Sequence, residues 1–452
     1  MATSATYIIS KFIFPFHERL KGHGTVRILR QLETTQWWPA DRLAEFQAAR
    51  LQKLTKLAAQ RVPYYRQLFA EAGVNPNDIR SPEDLPKLPF LTKDLIRANM
   101  DTLKADNASS LMRFNTGGST GEPLIFYLGK ERVSHDVAAK WRATRWWGVD
   151  IGDPEVVVWG SPVELGAQNR LRAWRDRLLR THLLSAFEMS ERNLDYFVAE
   201  IRRLRPRMLF GYPSALAHIA RHAWKRNISM NDLGVRVAFV TAERLYEDQR
   251  RDIETVFQCR VANGYGGRDA GFIAHHCPAG SLHITAEDIV VELVDQAGRW
   301  VAAGEPGEVV ITHLATKEFP FIRYRTGDVA VFNDQPCSCG RSLPVLKEIQ
   351  GRTTDFIVAA DGTVMHGLAL IYVLRDLPGI ESFKIIQESK VEIRVLLVPV
   401  GEYNQAIEDG IRRGFQGRLG KEVRVNVEPV TEILPERSGK FRYVISHVDP
   451  HS

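Results

Sequence analysis

A glycine-rich loop between two apolar runs has the residue types that bind phosphate. Its residues are Thr116, Gly117, Gly118, Ser119, Thr120, Gly121, Glu122 and Pro123. Exposed backbone N–H groups and hydroxyl groups together suit phosphate oxygens. The loop has no Gly-Lys-Ser/Thr sequence and a strand-like run follows it, so it is not a Walker A loop. Taken alone, it could also be an ordinary hairpin turn, which is the less favoured interpretation.

Three cysteines and a histidine form a second candidate group. The predicted ligands are Cys277, His283, Cys337 and Cys339. Thiolates and imidazoles at such spacing suit tetrahedral Zn²⁺, and four protein ligands would make the site structural. His276 adjoins the first cysteine and would crowd the same tetrahedron. The alternative is reduced thiols without a metal, and Cys259 is expected in the core.

Further motifs follow the glycine loop in a fixed order along the chain. They are Tyr265-Gly266-Gly267-Arg268-Asp269, Tyr324-Arg325-Thr326-Gly327-Asp328, Gly351-Arg352-Thr353-Thr354-Asp355 and Ser438-Gly439-Lys440-Phe441-Arg442. This set resembles the adenylate-forming superfamily of acyl-CoA synthetases, adenylation domains and luciferases. Pro63-Tyr64-Tyr65 and the segment 88–93 resemble the phenylacetate–CoA ligase group. The segment 206–216 resembles its CapK-like branch of capsule biosynthesis.

The resemblance implies a two-step reaction with ATP, Mg²⁺ and a carboxylic acid. The carboxylate attacks the α-phosphorus of ATP, pyrophosphate leaves, and an acyl-adenylate forms. The thiol of coenzyme A then displaces AMP. Positioning and charge neutralisation supply most of the catalysis in the first step.

The resemblance also implies a role for each motif. The residues expected to hold the phosphates are Thr116, Gly117, Gly118, Ser119, Thr120 and Gly121. Those expected around the adenine are Thr241, Ala242, Glu243, Tyr265 and Gly266. Asp328 would accept hydrogen bonds from the ribose hydroxyls, and Arg352 would contact the ribose or a phosphate. Lys440 is the predicted catalytic lysine, bridging the substrate carboxylate and the α-phosphate.

Some positions depart from the pattern of the superfamily. Arg268 and Asp269 stand where Ser/Thr-Glu is usual, so the shorter Asp269 is the predicted Mg²⁺ ligand. Arg268 adds a cation beside the α-phosphate, and both are predicted catalytic residues. Leu124 replaces a frequent basic residue, and Thr354 replaces the usual hinge aspartate, with Asp355 beside it. The sequence therefore does not decide whether the enzyme depends on a metal or which residue is the hinge.

The elements around the motifs predict an α/β fold. Strand-like runs at 156–159 and 235–240 alternate with amphipathic helices at 191–204 and 245–257. A helix is predicted over 41–61, and strands at 289–294 and 307–312 predict a small β-subdomain. We expect a large N-terminal adenylation domain of mixed sheets with helices, residues 1–353.

The remaining residues, 354–452, predict a smaller α+β domain that acts as a mobile lid. The pattern indicates a hairpin around Asp361-Gly362 and helices at 367–376 and 403–416. It indicates strands at 384–387, 391–398 and 423–427. The lid would carry Lys440.

Composition indicates a soluble globular protein. The chain has 452 residues, 44% hydrophobic and 25% charged, with a net charge of +6. Five arginines lie close together: Arg170, Arg172, Arg175, Arg177 and Arg180. We favour a solvated helix face over an anion-binding surface, because Leu171, Trp174, Leu178 and Leu179 form an apolar stripe. No nucleic-acid-binding motif accompanies the arginines, so nucleic acid is not an expected partner.

The N-terminal run from Tyr7 to Phe14 is apolar but interrupted by Lys11. Without a preceding cationic region or a cleavage site, it does not predict a signal peptide. A packed segment is favoured over a membrane-surface anchor. The chain has no transmembrane-length apolar stretch, and we expect a cytoplasmic protein. A homodimer is common in the group that it resembles and is left open.

The acceptor and the acid are also open. The alternative to coenzyme A is an amine, in capsule polysaccharide or natural-product biosynthesis. A non-enzymatic nucleotide-binding scaffold is a third hypothesis, motivated by the Arg268-Asp269 departure. Acid-pocket residues are expected around 159–161, 212–214 and 264–266, where aromatic side chains suit a planar aryl acid.

Overall fold

The N-terminal part of the chain is helical because its apolar residues recur every three or four positions. A computed structural model describes residues 4–116, 124–159, 169–186, 189, 191–352, 356–362, 364–366, 368–375, 377–401, 403–434 and 442–448. Its first helices are α1 (Ser4–Ile8), α2 (Phe14–Leu20), α3 (Thr25–Thr35), α4 (Ala40–Arg61), α5 (Pro63–Glu71) and α6 (Lys93–Ala98). A π-helical turn, Ile9–Ile13, joins α1 to α2. The helix predicted over 41–61 is confirmed as α4.

A hairpin and a large mixed sheet follow, with helices between the strands. The hairpin consists of β1 (Met112–Asn115) and β2 (Ile125–Leu128). The helices are α7 (Lys130–Trp146), α8 (Asn169–Leu178), α9 (Glu191–Leu204), α10 (Pro213–Lys225) and α11 (Glu247–Phe257). The strands of the sheet are β3 (Glu155–Trp159), β4 (Thr181–Ser185), β5 (Met208–Gly211), β6 (Val237–Thr241), β7 (Arg260–Gly267), β8 (Gly271–His276), β9 (Leu282–Ile284), β10 (Ile289–Val294), β11 (Pro306–His313), β12 (Tyr324–Asn333) and β13 (Val345–Arg352).

The large sheet is parallel in one part and antiparallel in another. Among the described residues it has 11 strands, in the order β10-β11-β12-β13-β9-β8-β7-β6-β5-β3-β4. Strands β4, β3, β5, β6 and β7 are parallel, and β7, β8 and β9 are antiparallel. The parallel strands read as continuous apolar runs because both of their faces are buried. One core cluster contains residues of β5 and α9–α11, such as Leu209, Phe197, Leu216 and Phe257.

The C-terminal residues form their own sheet. The elements are β14 (Phe356–Val358), β15 (Val364–His366), α12 (Leu368–Arg375), β16 (Ile380–Ser389), β17 (Glu392–Pro399), α13 (Gln405–Leu419), β18 (Arg424–Pro429) and β19 (Val444–Ser446). Strands β14 and β15 pair as the hairpin predicted around Asp361-Gly362. The other strands form a four-stranded sheet, β18-β17-β16-β19. Residues from β16, β17 and α13, including Ile385, Val395 and Phe415, are buried.

The described residues divide into two units. The first comprises Met1–Thr326 and Ala330–Ile349, and the second comprises Gly327–Val329 and Gln350–Ser452. The predicted boundary between 353 and 354 lies outside the described residues. The predicted α/β fold with a smaller C-terminal domain is confirmed. None of the described helices combines the length and the apolar composition needed to cross a bilayer.

Several predicted elements are displaced by one to four residues at their ends. Helix α11 begins at Glu247, not at 245, and the Tyr246 N–H donates to Gln249 Oε1 over 3.2 Å at its start. Helix α13 begins at Gln405, not at 403, because the Asn404 side chain accepts from the N–H groups of Ala406 and Ile407. Side-chain capping of this kind sets where a helix starts.

The stripe predicted on the arginine-rich helix is partly wrong. Helix α8 forms, but Trp174 is 78% exposed and Leu178 is 52% exposed, whereas Leu179 packs on a core cluster. The N-terminal segment is packed, as predicted, on one of its faces. Ile9 and Phe14 are buried, whereas large apolar side chains on its other face are exposed.

Candidate active site and metal centre

The carboxyl ends of four neighbouring parallel strands meet at one edge of the large sheet. Val158 of β3 pairs with Gly211 of β5, and Gly211 pairs with Val240 of β6. Thr241, the last residue of β6, pairs with Gly264 of β7. The segments that follow β3, β5 and β6 therefore lie beside β7. In open α/β sheets, ligands bind outside this edge.

The residues predicted around the adenine are brought together at this edge. Thr241 lies beside Gly264 and therefore close to Tyr265, which is half-buried and packs against a core cluster. Ala242 has φ of 72°, in the left-handed region. Such a conformation costs a non-glycine residue on the order of 1–3 kcal/mol and is frequent at functional sites. Glu243 Oε2 accepts a hydrogen bond of 3.2 Å from the N–H of Ser214.

Aromatic side chains lie in the region predicted for the acid. The rings of Trp159, at the end of β3, and Tyr212, after β5, are stacked, with centroids 4.3 Å apart and planes 21° apart. Gly211 makes this approach possible, since a Cβ there would overlap the carbonyl oxygen of Val158. Gly160 and Ser161, also predicted at this pocket, lie outside the described residues.

The carboxylate of Asp269 is held by a buried tyrosine. The hydroxyl of Tyr324 donates to Asp269 Oδ2 over 2.6 Å. The backbone oxygen of Asp269 accepts from Nη2 of Arg132 over 3.4 Å. Arg132 is 1% exposed, and its Nε lies 2.9 Å from Oδ2 of Asp136. Both the backbone and the side chain of the predicted Mg²⁺ ligand are thus positioned.

Arg268 lies beside the base of the glycine loop. Its Nη1 donates to the carbonyl oxygen of Asn115 over 3.5 Å, and Asn115 is the last residue of β1. Thr116 N–H donates to the Leu124 oxygen over 2.9 Å, and Leu124 N–H donates to Thr116 Oγ1 over 3.0 Å. The two ends of the loop are therefore joined at the β1–β2 hairpin. Arg268 therefore lies beside the described end of β1, from which the predicted phosphate-binding loop starts.

Other predicted site residues are described only in part or not at all. Asp328 is half-buried on β12, in the segment that belongs to the second unit. Arg352 ends β13, and its side chain lies outside the described part. The predicted site residues that lie outside the described part of the chain are Gly117, Gly118, Ser119, Thr120, Gly121 and Lys440.

Sequence reasoning missed the two residues that position Asp269. Tyr324 begins the Tyr-Arg-Thr-Gly-Asp motif, so its presence in that motif was a signal. Arg132 has no such signal, because an arginine on an amphipathic helix is usually exposed. Only the packing of α7 against β8 shows that it is buried.

The four predicted zinc ligands come together in the first unit. Their ligand atoms all lie within 4.8 Å of one another. Cys277 Sγ lies 3.6 Å from Cys337 Sγ, and Cys339 Sγ lies 3.2 Å from His283 Nε2. Cys277 follows β8, His283 lies in β9, and the other two cysteines lie between β12 and β13. The types of the four donor atoms and the short distances between them fit a tetrahedral metal site.

The hydrogen bonds around this cluster also suit a metal. His283 Nδ1 lies 3.1 Å from the carbonyl oxygen of Leu343, so Nδ1–H can donate there and leave Nε2 as the ligand atom. Burial lowers the pKa of His283 to about 4, which keeps its ring neutral. The Cys339 N–H donates to Cys337 Sγ over 3.4 Å. His276 Nδ1 instead accepts from the Asn263 N–H over 3.3 Å.

The fourth cysteine has the place that was predicted for it. Cys259 is 8% exposed and belongs to the core cluster under α9–α11. Burial raises the pKa of its thiol to about 12. The prediction that Cys259 is a core residue is confirmed.

Comparison with known proteins identifies the family. Residues 26–315 match the family described as AMP-binding enzyme, and residues 357–447 match the CapK C-terminal domain. The chain therefore belongs to the AMP-binding enzyme family. The predicted membership of the adenylate-forming superfamily is confirmed, and so is the prediction of an ATP-using ligase.

Particular relatives cover nearly the whole chain. Protein CapK of Staphylococcus aureus is 26% identical over 411 residues, 90% of each chain. The phenylacetate-coenzyme A ligase of Thermus thermophilus is 27% identical over 447 residues, 92% of this chain and 98% of that protein. The structure of 2-hydroxyisobutyryl-CoA ligase in the postadenylation state has a TM-score of 0.73 at 22% identity. It covers 91% of this chain and 90% of that one, and it shows a shared fold.

Proposed function

We propose that this enzyme activates a carboxylic acid with ATP and transfers the acyl group to coenzyme A. In the first step a carboxylate oxygen attacks the α-phosphorus and pyrophosphate leaves. In the second step the thiol attacks the acyl carbon and AMP leaves. The observation that supports this most is the convergence of the strand ends of β3, β5, β6 and β7.

The proposed ATP contacts follow from this edge and from the motifs. The glycine loop binds the phosphates, and Arg268, beside its base, neutralises charge on them. Tyr265 and the 241–243 segment bind the adenine. The roles of Asp328 at the ribose, Arg352 at the ribose or a phosphate, and Lys440 at the reacting carboxylate rest on the motifs.

Asp269 is the proposed Mg²⁺ ligand. Its side chain is one methylene shorter than the glutamate usual in the superfamily. The Tyr324 hydroxyl holds one of its oxygens in place, so the direction of this shorter side chain is fixed. When bound, Mg²⁺ neutralises phosphate charge.

We propose an aryl acid as the substrate class. The half-buried ring of Trp159 offers a flat apolar surface beside the strand ends, and the buried Tyr212 stacks behind it. Planar rings bind well against such surfaces. Relatives that cover most of the chain are named phenylacetate-coenzyme A ligases, which supports the same class.

The residues 354–452 are proposed as the lid domain that carries Lys440. The match of 357–447 to the CapK C-terminal domain supports a separate domain there. The cytoplasm is the proposed location, and a homodimer is the proposed assembly. Sedimentation of the purified protein tests the assembly.

Acid-dependent exchange of pyrophosphate into ATP tests the first step. We expect exchange with one or more members of a panel of aryl and aliphatic acids, and AMP release on adding coenzyme A. Lys440→Ala should lower exchange by at least about a hundredfold. Lys421→Ala, an exposed lysine of the same unit, is the control and should keep full exchange. Absence of exchange with every acid would contradict the proposal.

An amine is the second candidate acceptor. The match to the CapK C-terminal domain favours keeping it, because the resemblance to CapK is what motivates an amine acceptor. A competition experiment, in which preformed acyl-adenylate is incubated with coenzyme A and amines together, decides between the two acceptors. Preferential thioester formation would eliminate the amine.

We also propose that Cys277, His283, Cys337 and Cys339 hold one structural Zn²⁺. The support is the gathering of four soft donors within 4.8 Å and the carbonyl that fixes the His283 tautomer. With four protein ligands, the ion has no open position for a substrate. Its role is therefore to join segments of the fold.

A further inference from the structure

The N-terminal helical segment, residues 4–20, exposes a row of large apolar side chains. Tyr7, Ile8, Phe12, Phe16 and Leu20 are 57%, 50%, 63%, 64% and 72% exposed. We call these five residues the N-terminal face. Large exposed apolar side chains are common singly, but a contiguous row of them marks an interaction surface.

The opposite side of the segment is firmly packed. Ile9 and Phe14 are buried in a cluster with residues of α3 and α7. Thr6 Oγ1 donates to Asp153 Oδ1 over 2.9 Å. A Cβ on Gly152 would lie 2.6 Å from Cβ of Ile9, so the segment sits directly on that turn. The exposure of the N-terminal face is therefore set by tertiary packing.

Helix α8 adds two exposed residues beside this segment. Leu179, just after α8, packs on the cluster that contains Ile9 and Phe14. Arg180 Nη1 donates to the Gly152 oxygen over 3.3 Å, at the turn that contacts Ile9. Trp174 and Leu178, on the solvent side of α8, are 78% and 52% exposed.

The exposed charged side chains on and next to the N-terminal segment are of one sign. Lys11, Arg19 and Lys21 are exposed. The acidic residue of the segment, Glu18, is 3% exposed and lies within hydrogen-bond distance of His23 and Thr25. The next helix, α3, adds the exposed Arg27 and Arg30. Solvent therefore meets apolar side chains bordered by cations.

We propose that the N-terminal face, with Trp174 and Leu178, docks this enzyme on an anionic lipid bilayer. The aromatic and aliphatic side chains enter the boundary between headgroups and acyl chains, and the lysines and arginines contact lipid phosphates. A helix lying flat, with an apolar face and basic flanks, has the character of an interfacial anchor. Docking of this kind needs no membrane-spanning helix.

The charge pattern favours lipid over a second copy of the chain. In a twofold-symmetric dimer, the same surface patch of each copy forms the interface. Lys11, Arg19 and Lys21 would then be brought towards the same cations of the partner, which is unfavourable. An anionic bilayer complements both the apolar row and its basic border.

Co-sedimentation of the full chain with vesicles tests the proposal. We expect binding to vesicles of equal parts phosphatidylcholine and phosphatidylglycerol, weakened by salt, and little binding to phosphatidylcholine alone. Phe12→Ser and Phe16→Ser should each weaken binding by about tenfold. Lys11→Glu with Arg19→Glu should weaken it by about a hundredfold.

Matched controls lie elsewhere on the first unit. Trp224→Ser changes a 68% exposed residue of α10, and Arg251→Glu changes an exposed residue of α11. Both should bind vesicles like the unchanged protein, and all variants should keep their melting temperatures. Failure to bind anionic vesicles, or unchanged binding by the phenylalanine and charge variants, would overturn the proposal. If the protein does not bind vesicles but forms a dimer that Phe12→Ser abolishes, the N-terminal face contacts a second copy of the chain instead.

Discussion

One hydroxyl group positions the proposed Mg²⁺ ligand of this enzyme. Tyr324 is fully buried, and its ring packs edge-on against Phe321 at 5.1 Å. Its orientation is therefore fixed before any ligand binds. The hydrogen bond of 2.6 Å to Asp269 transmits that rigidity to the carboxylate. Partners of metal ligands commonly act in this way.

Tyr324→Phe should raise the Mg²⁺ requirement of the enzyme. The variant keeps the ring and removes the hydroxyl, so Asp269 loses its fixed direction while the core stays filled. We expect Mg²⁺ affinity or activity to fall by about 10- to 100-fold. Pyrophosphate exchange measured against Mg²⁺ concentration checks this.

Tyr196→Phe is the control for that measurement. Tyr196 is a 52% exposed residue of α9, and its variant should match the unchanged enzyme. An unaltered Mg²⁺ dependence in Tyr324→Phe would remove Tyr324 from the positioning role.

The cysteine–histidine cluster joins separate strands of the large sheet. Cys277 and His283 flank the turn between β8 and β9, and Cys337 and Cys339 belong to the connection from β12 to β13. Strands β9 and β13 are paired at their ends, Leu282 with Leu346 and His283 with Val345. A bound ion would thus hold together a short strand contact.

Cys339→Ser should remove the metal and lower stability. The protein purified without added metal is expected to contain about one Zn²⁺ per chain. The variant should lose most of it, and its melting temperature should fall by several degrees because metal binding contributes to folding. Elemental analysis and thermal unfolding check both.

Cys259→Ser gives the matched control for the metal. It changes a buried cysteine outside the cluster, so it should keep the zinc even if it costs some stability. If the purified protein contains no zinc and Cys339→Ser is as stable as the unchanged protein, the zinc proposal is wrong. The cluster then consists of reduced thiols without a metal.

The close approach of β3 and β5 depends on a glycine. Gly211→Ala should lower the free energy of unfolding by about 1–3 kcal/mol, because the new methyl group meets the Val158 oxygen. Exchange activity should fall too, since Trp159 and Tyr212 follow these strands. Chemical denaturation and pyrophosphate exchange measure the two effects.

Gly417→Ala is a control with the opposite expectation. Gly417 lies in α13, and a Cβ there meets nothing within 4 Å. Alanine should therefore be neutral or raise the free energy of unfolding, by about 0.5–1 kcal/mol at most. Equal destabilisation by both substitutions would contradict the steric account of Gly211.

Buried histidines make the stability of the first unit depend on pH. His275 is 1% exposed, with its ring between Phe239 and Phe272 at centroid distances of 5.9 and 5.4 Å. Burial, with a contribution from Arg142, lowers its pKa from 6.5 to about 3. For His313, burial and then Arg132 lower the pKa to about 4.

The free energy of unfolding should fall as the pH falls from about 6.5 to about 4. Below pH 6.5 the unfolded chain binds protons at these histidines, whereas the folded chain keeps them neutral. Each such histidine contributes a slope of up to about 1.4 kcal/mol per pH unit. Denaturant unfolding across this range measures the slope.

His275→Phe should reduce the pH dependence of the free energy of unfolding by the contribution of one histidine. An equal slope in His275→Phe and the unchanged protein would show that His275 does not carry the linkage.

Local sequence determined many of the elements and the membership of the cysteine–histidine cluster. The strand Ile289–Val294 and the helix Glu191–Leu204 have the predicted bounds, because periodicity and flanking residues act within one element. The membership of the cysteine–histidine cluster was predictable for a related reason. Two cysteines one residue apart and a Cys/His pair about 60 residues earlier in the chain restrict the chemistry, and the structure needed only to bring the two pairs together.

Tertiary structure alone decided which side chains support the site and which meet solvent. Tyr324 and Asp269 are 55 residues apart in sequence and meet through the hydrogen bond between them. Helical spacing placed Trp174 on an apolar stripe, yet it is exposed, while Arg132 is buried. Periodicity shows that a helix has two faces, but the surface against which it packs decides which face is covered. That surface is formed by residues distant in the chain, so no local pattern contains it.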